Sequence, residues 1–406
     1  MTEKRSATLA TVLDGQLCSG CGGCAALAPD AVTMQISDAG YLRPVQTSEL
    51  SPFQENYLNQ ICPGVRVAQA PAGRPDHPLW GPYIAMHAGH ATDPELRRNA
   101  SSGGALSAVL IHLLDSKEID KVVQVGADPN LPIGNRTVLS QNGAAVFASA
   151  GSRYAPSAPL EGLEALLQTD LRYAFVGKPC DVGALRAMMR FDDRIAARFP
   201  YLLSFFCAGV PSLAGARVVL NRLGAPEDEV TAFRYRGNGW PGFATATLRD
   251  GTTRQMSYAD SWGGILSRHV QFRCKICPDG TGGLADLVCA DAWEADERGY
   301  PIFAERDGTS LIVSRTEKGE ALLRSVVAAG RVEAFAFDPA GLAAIQPGQT
   351  GKRRLTLARL AALRAMGRAA PRYTGFHLWR NARAAGLRAN AKNFLGTLRR
   401  IWQGRL

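Results

Sequence analysis

The chain has 406 residues, 46% hydrophobic and 20% charged, enough for a large buried core divided into two or three domains. It contains no apolar run near the about eighteen residues a membrane-spanning helix needs, and its N-terminal MTEKRSATLATVLDG lacks the apolar centre of a signal peptide, so the expected address is the cytoplasm. The net charge of +10 sits at one end: Gly351 to Leu406 holds fourteen Lys/Arg and no Asp/Glu, leaving 32 basic against 36 acidic residues before it, and nucleic acid is not an expected partner of the body.

In chain order, residues 1–75 read as a cysteine-rich head that ends in a linker, Pro71-Ala-Gly-Arg-Pro-Asp-His-Pro78. From 80 to 340 helix and strand signals alternate. Helices are expected over Ala105–Ser116, Leu160–Leu167 and Ala184–Met189, and strands over Lys121–Gly126, Tyr173–Val176 and Tyr201–Phe206. Such alternation predicts an α/β (or α+β) core, and no internal repeat is visible. From 352 to 406 the chain is Ala/Arg/Leu-rich and predicted helical, with a break near Pro371. There Leu387, Ala391, Phe394, Leu398 and Trp402 recur at helical spacing, with Arg388, Lys392, Arg399 and Arg400 between them. A basic amphipathic helix of this kind fits peripheral contact with the inner face of a membrane. The alternatives are docking on the acidic body and a solvated tail.

Nine cysteines in a chain expected to be cytosolic point to metal binding or catalysis ahead of disulfides. Cys18-x2-Cys21-x2-Cys24 followed by the remote Cys62-Pro63 is the spacing of a 4Fe-4S site, and Gly20, Gly22 and Gly23 let the backbone bend close and aim N–H groups at sulfur. Zinc, which favours paired CxxC motifs, and spare core cysteines are the alternatives. Four further thiols, Cys180, Cys207, Cys274 and Cys277, include two placed just after short apolar strands, where sites in α/β folds form. Each alone also reads as a buried small residue, and Cys274-x2-Cys277 as half a zinc site or a redox pair.

Read together, Ser101-Ser-Gly-Gly104, Ala150-Gly-Ser-Arg-Tyr154, Lys178-Pro-Cys180, Ser204-Phe-Phe-Cys-Ala-Gly-Val-Pro-Ser212 and Tyr235-Arg-Gly-Asn-Gly-Trp-Pro-Gly242 form one ordered series. It continues through Arg273-Cys-Lys-Ile-Cys-Pro-Asp-Gly280, Ala285-Asp286, Asp291-Ala-Trp293 and Thr316-Glu-Lys-Gly319. From about 18 to about 330 the chain resembles the coenzyme F(420) hydrogenase/dehydrogenase beta-subunit family, whose members carry FAD and 4Fe-4S clusters. The resemblance implies a second cluster on Cys180, Cys207, Cys274 and Cys277, with Cys289 left as a core residue. It also implies a head like a ferredoxin module and a central flavin-binding domain.

The Ser/Gly-rich turn Asn99-Ala-Ser-Ser-Gly-Gly104 precedes a helix and offers free N–H groups at its positive end, suited to a pyrophosphate or to an ordinary N-cap. The resemblance places the flavin-binding turn here, at Ser101, Ser102, Gly103 and Gly104, with a second contacting segment at Gly151, Arg153 and Tyr154. Lys178 is expected either to place a positive charge near the flavin or to face solvent. His269, Asp291, Tyr258 and Tyr235 are candidates for proton transfer, and Trp240 for stacking on a substrate. The implied function is an oxidoreductase that takes electrons from a ferredoxin-like donor at the head cluster and passes them to the second cluster, to FAD and to an organic substrate. Members linked to exopolysaccharide synthesis imply a glycan as that substrate. The alternative is an electron-transfer subunit without a substrate of its own.

Overall fold

The computed structural model describes residues 5–294, 296–297, 302 and 304–404, so the ends of the head (1–4) and of the basic tail (405–406) lie outside the described residues. Three of its short apolar runs, Tyr173–Gly177, Tyr201–Phe205 and Leu287–Asp291, bury nearly every residue. Continuous apolar runs of this length suit a parallel sheet covered on both faces. They pair in parallel with one another and with Lys121–Ala127. Antiparallel strands extend this centre on both sides, giving eight strands in the order Val332–Ala336, Ala85–Ala91, Ser310–Ser314, Leu287–Asp291, Tyr201–Phe205, Tyr173–Gly177, Lys121–Ala127, Asn135–Ser140. The mixed α/β class is as expected.

Side chains alternate across the sheet and build one core on each face. Ala174, Leu203, Leu287 and Ile312 pack beneath the helices Ala105–Asp115 and Glu317–Ala328. Phe175, Leu202, Val288 and Leu311 pack on the other face with Val182 and Leu185 of the helix Pro179–Met188, and Tyr57 and Ile61 of the head join them. A three-stranded sheet, Val230–Arg234, Phe243–Leu248 and Thr253–Ser257, buries a third core against the helix Leu213–Leu223.

Two sequence expectations change. The helix expected from Ala184 starts at Pro179, because proline suits the first helical position and the Asp181 carboxylate accepts the Lys178 N–H at 2.9 Å. The stretch 71–78 is pinned rather than loose. Asp76–His77 pairs with Gly81–Pro82, and Asp76 lies 2.7 Å from His377 Nε2.

The tail divides into two parts. Its first helix runs from Pro347 to Ala365 and buries Leu360 and Leu363 with Val12, Leu17, Phe272 and Ile276. After the break near Pro371, Arg372–Thr374 pairs in parallel with Arg66–Ala68 of the head. Gly375 follows at φ +82°, where a Cβ would stand 2.0 Å from the Gln69 carbonyl oxygen. Gly375→Ala should lower stability by about 2–4 kcal/mol, from left-handed strain plus overpacking, read as a lower urea midpoint with an unchanged slope.

Candidate functional site

Four parallel strands point their carboxyl ends at one edge of the sheet, the usual place for sites in such folds. Cys180 follows Gly177 there in the first turn of the helix Pro179–Met188, Cys207 follows Phe205, and Asp291 ends its own strand.

The head brings Cys18, Cys21, Cys24 and Cys62 together. Gly20 and Gly22 adopt φ of +78° and +85°, and the Gly20 N–H points at Cys18 Sγ at 3.4 Å. Cys62 ends the helix Pro52–Ile61, whose start is fixed by a reciprocal cap between Ser51 and Gln54. Burial, then Asp181 and Cys18, pushes the Cys21 thiol up to about 11; burial, then Cys21 and Cys18, pushes Cys62 up to about 12. Cys24 is raised by burial and by the other three thiols of its group. These are neutral thiols unless a bound cation draws off their protons.

The second set also converges. Cys274 lies on the short helix Phe272–Lys275, and the Cys277 N–H reaches the Cys274 carbonyl at 3.4 Å. Burial, then Cys274 and Cys277, pushes Cys207 up to about 12, although Lys352 opposes the rise. Cys180 is raised by burial and Asp181 first, then by Cys207 and Cys274. Among the described residues, no three His, Cys, Asp or Glu side chains meet closely enough to hold one metal ion. A zinc ion needs its ligands at about 2.0–2.3 Å from one point, whereas a cubane seats each thiolate on a different iron and needs them spread. Cys289 lies apart, in the core, raised by burial alone to about 12.

Side chains that the sequence reading did not single out connect the two groups. Gln271, 2% exposed, donates to the Ser19 carbonyl at 3.3 Å and to Cys274 Sγ at 3.5 Å, and accepts from Arg43 at 3.0 Å. Arg273, also 2% exposed, donates to the Pro63 carbonyl at 2.6 Å and lies over the Tyr373 ring. Tyr373, Cys277 and Cys180 help hold its charge against burial, and in turn it opposes the burial-driven rise of Cys18 and Cys62. The arginine before a CxxC was the available signal. Lys178 is not solvent-facing. Its ammonium meets Asp181 at 2.8 Å and Ser157 O and Oγ at 3.2 and 2.8 Å. Burial alone would lower it, and Asp181, Cys180 and Cys207 more than reverse that. Its charge therefore acts on the cysteines, with its three donors already spent.

The first tail helix covers the second group. Gln349 and Lys352 donate to the Cys207 carbonyl at 3.0 and 3.4 Å, Lys352 also to Ala208 O at 3.0 Å, and Arg353 to Pro278 O at 3.0 Å. Outside it opens a cavity of about 250 Å³ lined by Cys274, Ala208, Lys275, Lys352 and Arg359, among others.

The turn Ser101–Gly104 lies across neighbouring strand ends. Ser102 Oγ donates to Ala290 O at 2.7 Å, Ala91 N to Gly103 O at 2.7 Å, and Ser310 Oγ to Ser102 O. Ser101 Oγ is buried without a partner. Gly104, at φ +75°, opens the helix Ala105–Asp115. The neighbouring cation is not Arg153. That guanidinium is spent on Asn135 Oδ1, Phe233 O, Pro132 O and Gly134 O, with its face on Tyr235. Arg234 reaches this turn instead, at 2.9 Å from both Asn99 O and Oδ1, and a Cβ on Gly151 would meet it at 2.8 Å. Tyr154 packs on Trp262 and Tyr235.

Of the proton-transfer candidates, Asp291 and Tyr258 share one neighbourhood. Asp291 is clamped by Arg236 at 2.7 and 2.8 Å and by Trp240 Nε1 at 2.7 Å. The Arg236 guanidinium lies over Tyr258 and Trp293. Tyr258 is raised well above the usual phenol by burial, then Tyr154. Trp240 gives one face to Trp293 in a parallel stack at 4.5 Å. Tyr235 spends its hydroxyl on Ile133 O at 2.6 Å. His269 stands apart: its carbonyl accepts from Tyr41 and its ring packs on Gly215.

Two family models match, the coenzyme F(420) hydrogenase/dehydrogenase beta subunit N-terminal part over residues 86–164 and its C-terminal part over 170–340. Between them they cover more than half of the chain. It belongs to the coenzyme F(420) hydrogenase/dehydrogenase beta-subunit family. Cys180, Cys207, Cys274 and Cys277 fall inside the matched span, and the head cysteines precede it. Among relatives of this family, the coenzyme F(420) hydrogenase subunit beta of Methanococcus voltae is 28% identical over 68% of this chain and 91% of its own length. The F(420)-dependent formate dehydrogenase subunit beta of Methanocaldococcus jannaschii is 25% identical over 56% of this chain and 61% of its own. A chain of the F(420)-reducing NiFe hydrogenase complex from Methanosarcina barkeri shares the fold, with a TM-score of 0.52 and 20% identity over 70% of this chain and 96% of that one. These family members bear the names of oxidoreductase subunits, and none of the three names concerns polysaccharide.

Proposed function

We propose that this chain is an electron-transfer subunit of a hydrogenase- or dehydrogenase-type assembly. It would hold one 4Fe-4S cluster on Cys18, Cys21, Cys24 and Cys62 in a ferredoxin-like head and another on Cys180, Cys207, Cys274 and Cys277. The observation that carries this reading is the direct link between the groups: Gln271 bonds the backbone of one and a thiol of the other. The relatives' names, which are those of subunits, favour this second expectation over a self-contained enzyme.

FAD is proposed along Ser101–Gly104, where the unpartnered Ser101 hydroxyl and the start of the helix Ala105–Asp115 suit its pyrophosphate. When bound, the clusters would supply one-electron transfer and the flavin an exchange with two-electron chemistry. The chain's own residues set the environment. Gly20 and Gln271 donate toward sulfur, Arg273 and Lys178 supply positive charge beside it, and Arg236 holds Asp291 fixed so that Tyr258 is left as the proton-holding group near Trp293.

Iron, acid-labile sulfide and flavin measured on protein purified without oxygen test this. About eight irons and one FAD per chain are expected, and Cys18→Ser and Cys274→Ser should each leave about four irons. Zinc without flavin would sink the redox reading.

A ferredoxin-like donor is proposed at the second group rather than at the head. In the head Cys18 and Cys21 are buried and Cys24 and Cys62 half-buried; Cys274 is half-buried too, but it borders an open cavity rimmed by Lys275, Lys352 and Arg359. Cations there would steer an acidic protein. Lys275→Glu should slow reduction by an acidic ferredoxin about tenfold at low salt and hardly at all at high salt, followed by stopped-flow absorbance. The proposed address is the cytoplasm, with peripheral contact on the inner face of a membrane. Among the described residues, no helix is long and apolar enough to cross one.

A further inference from the structure

An ordinary surface helix buries its apolar stripe, whereas the last helix, Leu387–Trp402, leaves much of its apolar surface outside. Its inward side is largely polar: Ile401 packs on the core, Phe394 and Leu398 are half-buried, and the remaining contacts are hydrogen bonds. Thr397 is buried and bonds the Asn393 carbonyl at 2.8 Å, Asn393 Oδ1 accepts from Arg359 of the first tail helix at 3.2 and 3.4 Å, and Asn390 Nδ2 donates to Ala382 O at 2.7 Å. Its outward side is apolar: Leu387 is 92% exposed, Leu395 62% and Trp402 81%. At about 100° per residue these three share a stripe with Ala391, bordered by Arg388, Lys392 and Arg399. The preceding helix, Leu378–Ala385, adds Trp379, 80% exposed, and Arg380 beside it.

Large apolar side chains left exposed along one helix face mark a contact site. The charge says what kind. From Gly351 onward the chain has no acidic residue, and the side chains of Arg380, Arg388, Lys392 and Arg399 have neither an ion pair nor a hydrogen bond among the described residues. Unpaired, flexible cations strung along a line of large apolar groups match a diffuse anionic plane, which demands no fixed carboxylate opposite each one. The two exposed tryptophans, Trp379 and Trp402, suit the boundary between headgroups and acyl chains.

We propose that this face lies on an anionic lipid surface. Trp379, Leu387, Leu395 and Trp402 enter the acyl boundary, and Arg380, Arg388, Lys392 and Arg399 sit over the phosphates. This gives residues and a lipid class to the peripheral contact proposed above, and it does not depend on the clusters or the flavin. The first tail helix fixes the geometry, since it packs on the cysteine groups from the inside while holding the last helix by its polar side.

Sedimentation of the full chain with vesicles tests it. The native protein should bind phosphatidylcholine vesicles that contain phosphatidylglycerol and bind pure phosphatidylcholine vesicles far less. The triple variant Arg388→Gln, Lys392→Gln, Arg399→Gln should weaken binding about a hundredfold. The double variant Leu395→Ser, Trp402→Ser should weaken it too while keeping its salt dependence. The substituted side chains touch no core, so an unchanged urea midpoint will show that folding is intact. Native protein that ignores both vesicle types would end the peripheral contact itself. Binding unaffected by either variant would leave that contact standing and overturn this face. A dimer that dissolves in the double variant, without vesicle binding, would assign the face to a second copy and overturn the lipid proposal.

Discussion

Arg273→Met should strip iron from both cysteine groups at once, where Cys18→Ser or Cys274→Ser strips one. The guanidinium is 2% exposed, with Nε buried and unpartnered, and no carboxylate among its main partners. Its partners are the Pro63 carbonyl beside Cys62, the Tyr373 ring, and the thiols of Cys277 and Cys180. A buried cation is costly unless compensated, and thiolate-bound clusters on both sides would compensate it. The sign of the effect therefore depends on loading. In the iron-loaded protein the substitution should destabilise by about 3 kcal/mol, the scale of one partner removed from a buried charge pair. In the iron-free chain it should be neutral or stabilising, because an uncompensated charge has gone. Urea unfolding of both forms, with iron per chain, measures this. Equal shifts in both would mean that Arg273 only fills space.

Asp181→Asn should cost about 3–5 kcal/mol, the scale for breaking a buried ion pair by removing one partner. Asp181 is fully buried, 2.8 Å from a Lys178 ammonium that is 7% exposed, and its charge bears on Cys180 and on Cys21 of the head. Burial pushes the Asp181 carboxyl up and Lys178 opposes the rise, so the two charges depend on each other. Asparagine can still accept the Lys178 N–H, so the loss isolates the charge from the cap. The double variant Lys178→Met, Asp181→Leu should recover most of that stability, since an apolar pair needs no compensation. A double variant as unstable as the single one would remove the ion pair from the account.

The parts of the fold legible in the sequence are those set by near neighbours. Tyr173–Gly177 and Tyr201–Phe205 announce themselves as short apolar runs, and the helix at Ala105 by its period. The start at Pro179 was equally local, a proline at the first helical position with an aspartate two residues on, but the less helical stretch up to Gly183 obscured it. Arg153 and Arg234 were not separable in this way. Both sit near glycines and aromatics, and the packing of the three-stranded sheet decides which guanidinium is spent on carbonyls and which reaches Asn99. The different burial of the tail's two helices, on either side of the break near Pro371, was not separable for a related reason. Its composition is uniform, yet Leu360 and Leu363 enter a core while Leu387 and Trp402 stay outside.

By itself the sequence determined the cysteine spacing, the glycines that let the head loop curl, the alternation of strands and helices, and the membership these motifs signal. Each follows from steric limits or periodicity within a few residues. Only the tertiary structure decided that Gln271 and Arg273 stand between the two cysteine groups, that Lys178 is locked to Asp181, and that the last helix leaves Leu387, Leu395 and Trp402 outside. Those outcomes depend on burial and on charges meeting across long stretches of chain. A side chain's partner, and the cost of its charge, are set by what folds against it and not by what adjoins it in sequence.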